Sequence, residues 1–126
     1  MNMQTDRIIR KLNRLSPDVG AVVTFTGVVR SEGGRLWGLE YEVYERMLVP
    51  VIDQLKREAI ANFHLFGAEI VRKKGRQPAG APVFLVATAA RHRREAFEAT
   101  VWLVEEFKKK APVWKTEIPN KGARKA

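Results

Sequence analysis

Apolar residues recur along this chain in distinct rhythms, and each rhythm predicts a different kind of element. Ile8, Ile9, Leu12 and Leu15 fall at helical intervals among Arg7, Arg10, Lys11 and Arg14, so a short amphipathic helix is expected over Thr5–Leu15. Ser16-Pro17-Asp18 breaks it. Gly20–Arg30 (GAVVTFTGVVR) is β-branched and aromatic between glycines, which reads as a buried strand. Ser31–Arg35 (SEGGR) reads as a turn, because its glycines permit positive φ. Leu36–Tyr44 alternates, with Trp37, Leu39, Tyr41 and Val43 on one side and Glu40, Glu42 and Tyr44 on the other, the signature of a half-buried strand.

From Arg46 to Phe63 the helical rhythm returns through Leu48, Val51, Ile52, Leu55, Ala59, Ile60 and Phe63. Pro50 fits only in the first turn, where a missing N–H costs nothing. A short strand over Ala68–Lys73 is followed by a basic, glycine-containing loop over Lys74–Ala81 and a buried strand over Pro82–Ala90. Arg93–Lys110 is the clearest helix, with Phe97, Val101, Val104 and Phe107 stacked along it. Ala111-Pro112 ends that helix, since proline disfavours the helical region in the residue before it. Val113–Ile118 reads as a short strand, and Pro119–Ala126 as a polar, basic tail that frays. Strands that come in pairs between helices favour an α+β fold with a mainly antiparallel sheet over a doubly wound parallel one.

The 126 residues suit a single domain, taken as 1–118 with 119–126 as a tail. With 45% hydrophobic and 29% charged residues the chain can build a core. No apolar run approaches the roughly 18 residues of a bilayer span, and the N-terminus lacks a signal-peptide core, so an intracellular, cytoplasmic protein is expected. The net charge of +9 favours phosphates, acidic proteins or nucleic acid as partners. The absence of cysteine excludes disulfides, thiolate metal sites and sulfur carried on this chain's own thiol. Two histidines, His64 and His92, leave little for zinc, and no metal or other cofactor is expected.

Candidate chemistry sits where charge is placed against simple stability. Arg91-His92-Arg93-Arg94 crowds cations at a helix N-terminus that is already positive, which suits an anion bound there; the bland alternative has the arginines splayed and paired with Glu95 and Glu98. Between arginines, His92 would tend to stay neutral and could orient a ligand or act as a base, or it could be a plain surface residue. His64 has no supporting neighbours and reads as structural or incidental. Lys108-Lys109-Lys110 has an ordinary explanation, as cations complementing the negative end of the helix dipole. Alternation along Val113–Ile118 puts Val113, Lys115 and Glu117 on one face, where Lys115 could be partly desolvated and fit for proton transfer. Arg30, at the end of an apolar strand, either reaches water or projects into a crevice. Arg72, Lys73, Lys74 and Arg76 form a basic stretch that could bind RNA, an acidic partner or nothing.

Four segments in order, GAVVTFTGVVR (Gly20–Arg30), LEYEVYERM (Leu39–Met47), His92-Arg93 followed by EAFEA (Glu95–Ala99), and FKKKAPVWKTE (Phe107–Glu117), resemble the large, catalytic subunit of molybdopterin synthase, the MoaE family. The resemblance spans Gly20 to Glu117. It implies an α/β hammerhead fold and a central homodimer with a small ubiquitin-like (MoaD-like) sulfur carrier at each end, a heterotetramer in all. It also implies a sulfurtransferase: two sulfurs pass from the thiocarboxylate on the carrier's Gly-Gly tail to cyclic pyranopterin monophosphate, forming the molybdopterin dithiolene. Carried over by position, substrate binding falls on Val28, Val29, Arg30, His92, Arg93, Lys108, Lys115, Thr116 and Glu117. The resemblance makes Lys108 the principal catalytic residue, against the bland reading of the lysine run, with Lys115 assisting. Two departures stand out. Arg72-Lys73-Lys74-Gly75 occupies the place of the family's usual His-Arg-x-Gly, and the family usually continues beyond where this chain stops.

Two rivals remain at this level. One is a basic nucleic-acid-binding module, which would bind with steep salt dependence; against it, no ribonucleoprotein-type aromatic motif is present and the cations cluster at element ends. The other is a relative that has lost catalysis and only scaffolds its partners.

Overall fold

The computed structural model describes residues 4–121. In chain order the elements are α1 (Thr5–Asn13), β1 (Ala21–Val28), β2 (Leu36–Val43), α2 (Glu45–Phe63), β3 (Leu65–Arg72), β4 (Gly75–Pro78), β5 (Pro82–Ala90), α3 (Arg93–Lys110) and β6 (Val113–Pro119). They form two three-stranded sheets, ordered β1-β5-β3 and β4-β2-β6, with every pairing antiparallel. The expected α+β architecture is therefore present.

Central β5 is covered on both faces. Ala87 and Ala89 pack with Leu12 of α1, whereas Phe84, Val86 and Ala90 join the larger core beneath α2 and α3. Burial on both sides is why Pro82–Ala90 reads as a continuous apolar run. Helix α3 is locked to this strand by a small polar knot. The Thr88 and Thr100 hydroxyls both donate to the Ala96 carbonyl, at 3.0 and 2.8 Å, and lie 3.0 Å from each other, fully buried. Satisfied inside the core, these bonds set where the helix sits on the sheet.

Several local expectations are corrected. Gly20–Arg30 was expected to be buried, but β1 is an edge strand paired only with β5, and its exposure alternates along its second half. The basic loop after β3 contains β4, whose Gly75–Pro78 pairs with Tyr41–Gly38 of β2. That pairing depends on Gly38, because a Cβ there would sit against the Gln77 carbonyl oxygen. Trp37 is exposed rather than aligned with Leu39, Tyr41 and Val43, since the β2–β6 register shifts between Leu36 and Gly38. Helix α2 starts at Glu45, which puts Pro50 in its second turn. The proline leaves the Arg46 carbonyl without its helical donor, on a side where both residues are exposed to water. On α3 the buried face is Ala96, Ala99, Thr100, Leu103 and Phe107, while Phe97 and Val101 are each 58% exposed.

The chain's end is held down as far as it is described. Asn120 donates its backbone N–H to the Arg35 carbonyl at 3.0 Å and its side-chain amide to the carbonyls of Gly34 and Leu36. The rest of the expected tail, from residue 122 onward, lies outside the described residues.

Candidate active site

Between the two sheets, where the C-terminal end of α3 turns into β6, lies a groove with two lobes. One lobe, of about 330 Å³, is lined by Arg72, Phe84, Phe107, Lys108, Ala111, Val113 and Lys115. The other, of about 430 Å³, opens along the β1 edge past Gly27, Val28 and Arg30, with Tyr41 and Glu117 on its far wall. Arg72, Phe84, Lys108 and Lys115 line both lobes and so form the divide between them.

Each cation arrives on a different element. Lys108 comes from the last turn of α3. Its neighbours Lys109 and Lys110 are occupied by Glu106, at 3.3 and 3.1 Å, whereas no carboxylate of the described residues pairs with Lys108. Lys115 sits on β6 opposite Tyr41 of β2. As the alternation predicts, Val113, Lys115 and Glu117 share the groove face. Arg72 ends β3, and its guanidinium lies 4.3 Å from the Tyr41 ring centroid and 5.3 Å from that of Phe84. Phe84 in turn packs on Phe107 at 4.7 Å and on Phe25 at 5.9 Å. The floor of the groove is thus continuous with the core and rigid, while the lysines are exposed.

Electrostatics within the site are uneven. Burial pushes the Arg72 guanidinium's pKa down, with Tyr41 partly opposing, and its Nε is shut away from solvent without an acceptor. Arg30 is open to water, 82% exposed at the side chain and 3.2 Å from Glu32. Glu117 makes a two-pronged pair with Arg35, both contacts at 3.2 Å, which holds its carboxyl below the usual carboxylate range.

Of the residues expected from sequence, Val28, Val29, Arg30, Lys108, Lys115 and Glu117 line this groove. Val29 does so while buried, and its backbone is committed: its N–H donates to Ala81 and its carbonyl accepts from Gly80. Thr116 is exposed on the opposite face of β6 and does not line the groove. His92 and Arg93 stand apart, at the far end of α3, about 24 Å from Lys108 along the helix at ~1.5 Å per residue. His92 caps α3 in an extended conformation without a side-chain cap bond, and Arg91 pairs with Asp18 at 3.3 Å. His64, read as structural, takes a left-handed conformation at the C-cap of α2. Sequence reasoning left Arg72, Tyr41 and Phe84 out of the site. The one available signal was an arginine closing a strand whose only other charged residue is Glu69.

Residues 2–110 match the family described as MoaE protein. The molybdopterin synthase catalytic subunit of Pyrococcus abyssi is 39% identical over 109 residues, spanning 85% of this chain and 74% of the relative. The crystal structure of molybdopterin synthase from Staphylococcus aureus superposes with a TM-score of 0.87 at 30% identity, covering 95% of this chain and 88% of that one. A complex of subunits 1 and 2 of molybdopterin-converting factor from Helicobacter pylori has the same fold, with a TM-score of 0.75 at 24% identity over 94% of this chain and 85% of that one. With the family matched over most of its length and two sheets arranged as in these structures, the chain belongs to the MoaE family of molybdopterin synthase catalytic subunits.

Proposed function

We propose that the two-lobed groove is a sulfur-transfer site. In it the thiocarboxylated tail of a small carrier subunit delivers two sulfurs, in turn, to cyclic pyranopterin monophosphate. The observation that carries this reading is the meeting of Lys108 and Lys115, from separate elements and outside the salt bridges of the described residues, at the divide between two cavities. Two reactants need two cavities and a shared boundary where atoms can pass. Thiocarboxylate sulfur attacks a pterin carbon and the carbon–oxygen bond there breaks, its electron pair going to the departing oxygen as the cyclic phosphate opens. Water then adds to the resulting thioester, negative charge builds on the carrier carbonyl oxygen, and collapse breaks the carrier C–S bond, leaving sulfur on the pterin and releasing the carrier as a carboxylate. Ammonium groups fixed beside those atoms stabilise that charge more in the transition state than in the ground state. Lys108 takes the principal catalytic part and Lys115 assists, while Arg30 at the open mouth receives phosphate.

His92 and Arg93 are too far from Lys108 to serve the same groove, so we assign them to the groove of a second copy. Phe97, Val101, Val104 and Lys108 fall within an arc of about 60° on α3 at ~100° per residue. The midpoint between residues 92 and 108 lies beside exposed Val101. A two-fold axis there would lay α3 against its symmetry mate and bring Arg93 of the partner subunit toward Lys108. In this reading residues 1–118 form one catalytic-subunit domain, and the strand that closes it runs on through Pro119. No described helix is long and apolar enough to cross a membrane, and we place the reaction in the cytoplasm. The nucleic-acid-binding alternative has no support among the relatives.

The test is an anaerobic assay with cyclic pyranopterin monophosphate and thiocarboxylated carrier. Wild-type protein should form molybdopterin, and folded Lys108→Ala should lose on the order of 10²–10³ in kcat. A wild-type protein that binds the carrier but makes no product would instead be a scaffold.

A further inference from the structure

Arg72 is the cation of the groove that the carried-over site leaves unassigned. Its guanidinium is covered by the rings of Tyr41 and Phe84, its Nε has no acceptor, and no carboxylate of the described residues pairs with it. Burying a permanently charged group costs stability, and here Tyr41 offsets only part of it. The cavity in front of it is where compensation can come from, because Arg72 lines both lobes.

The geometry points to Arg72 as the residue that receives the anionic end of the carrier's tail. A guanidinium held against aromatic rings recognises anions with its planar fork, which matches a planar carboxylate or thiocarboxylate better than it matches a tetrahedral phosphate at an open mouth. The smaller lobe leading to it is walled by Phe84, Phe107, Ala111 and Val113. Those apolar walls suit a Gly-Gly segment, which has no side chains to place against them. Arg30, exposed at the far end of the larger lobe, is the better-placed phosphate ligand. Arg72 would thus fix the terminus at the divide, beside Lys108 and Lys115, before and after each sulfur leaves. This rests on the sulfur-transfer reading above.

A binding cycle tests it. Wild-type protein and Arg72→Met, which keeps an unbranched stem but removes the charge, are each titrated with carrier ending in a free Gly-Gly carboxylate and with carrier ending in the amide. For wild type, the amide should bind about tenfold more weakly. For Arg72→Met the two carriers should bind alike, within about twofold, while affinity for cyclic pyranopterin monophosphate stays at the wild-type level. Arg72→Gln repeats the cycle should the methionine variant fail to fold. An equal carboxylate preference in wild type and variant, or a variant that loses pterin affinity instead, would overturn the assignment and leave the sulfur-transfer reading standing. Failure of wild type to bind either carrier would overturn both.

Discussion

Arg35 and Glu117 join the turn before β2 to the last strand, and their pairing makes a pH-dependent contribution to stability. Because the guanidinium lowers the folded-state pKa of Glu117, its contribution is fully present above the unfolded carboxylate pKa and is lost as pH falls through the folded value. Thermal melts should therefore show Glu117→Gln with a slightly lower Tm than wild type at pH 7, and a gap that closes in acid. A gap of equal size at pH 3 would mean that packing rather than charge is involved. At this scale the sequence was legible only where alternation ruled. Placing Lys115 and Glu117 on one face of a strand followed from period two, and it holds. Lys108 could not be told from Lys109 and Lys110 by composition, because the distinction is which of them Glu106 occupies and which faces the groove. Arg72 looked like one more surface cation, since stacking against Tyr41 and Phe84 joins residues far apart in the chain.

Helix α3 shows what an element's rhythm reveals and what it conceals. Its limits, Arg93 to Lys110, follow from periodicity and from the proline at 112. Its inward face does not. Large apolar residues at 97 and 101 draw the eye, yet small Ala96, Ala99 and Thr100 face β5, where they allow close approach and the bonds to Thr88. Fully buried Leu103→Ala should cost about 2–5 kcal/mol in urea unfolding. Phe97→Ala should leave the isolated fold within about 0.5 kcal/mol and act instead on self-association, read by sedimentation. A large loss of stability from Phe97→Ala in a monomeric preparation would contradict the observed exposure. The missed strand β4 has a similar origin: Gly75–Pro78 carries no β-forming pattern, and it is a strand because β2 offers it an edge that Gly38 leaves open.

Assembly is the scale at which the separated halves of the proposed site must meet. Lys108→Ala protein and protein carrying His92→Ala with Arg93→Ala should each be nearly inactive alone. Mixed and allowed to exchange subunits, half the dimers are hybrids with one intact groove of two, so activity should recover to about a quarter of wild type. No recovery after verified exchange would place both clusters' work within one chain. By itself the sequence determined the types of every element but β4, the antiparallel α+β class, the lack of any thiol on this chain and, through four ordered motifs, the family. These are properties of local periodicity, of composition and of linear order. Only the tertiary structure decided which face of α3 is buried, that Lys108 and Lys115 meet Arg72 at a divided groove, and that His92 and Arg93 do not reach it. Those outcomes depend on how elements distant in the chain pack against one another, and the distance along a helix between two motifs is indifferent to how well either motif is written.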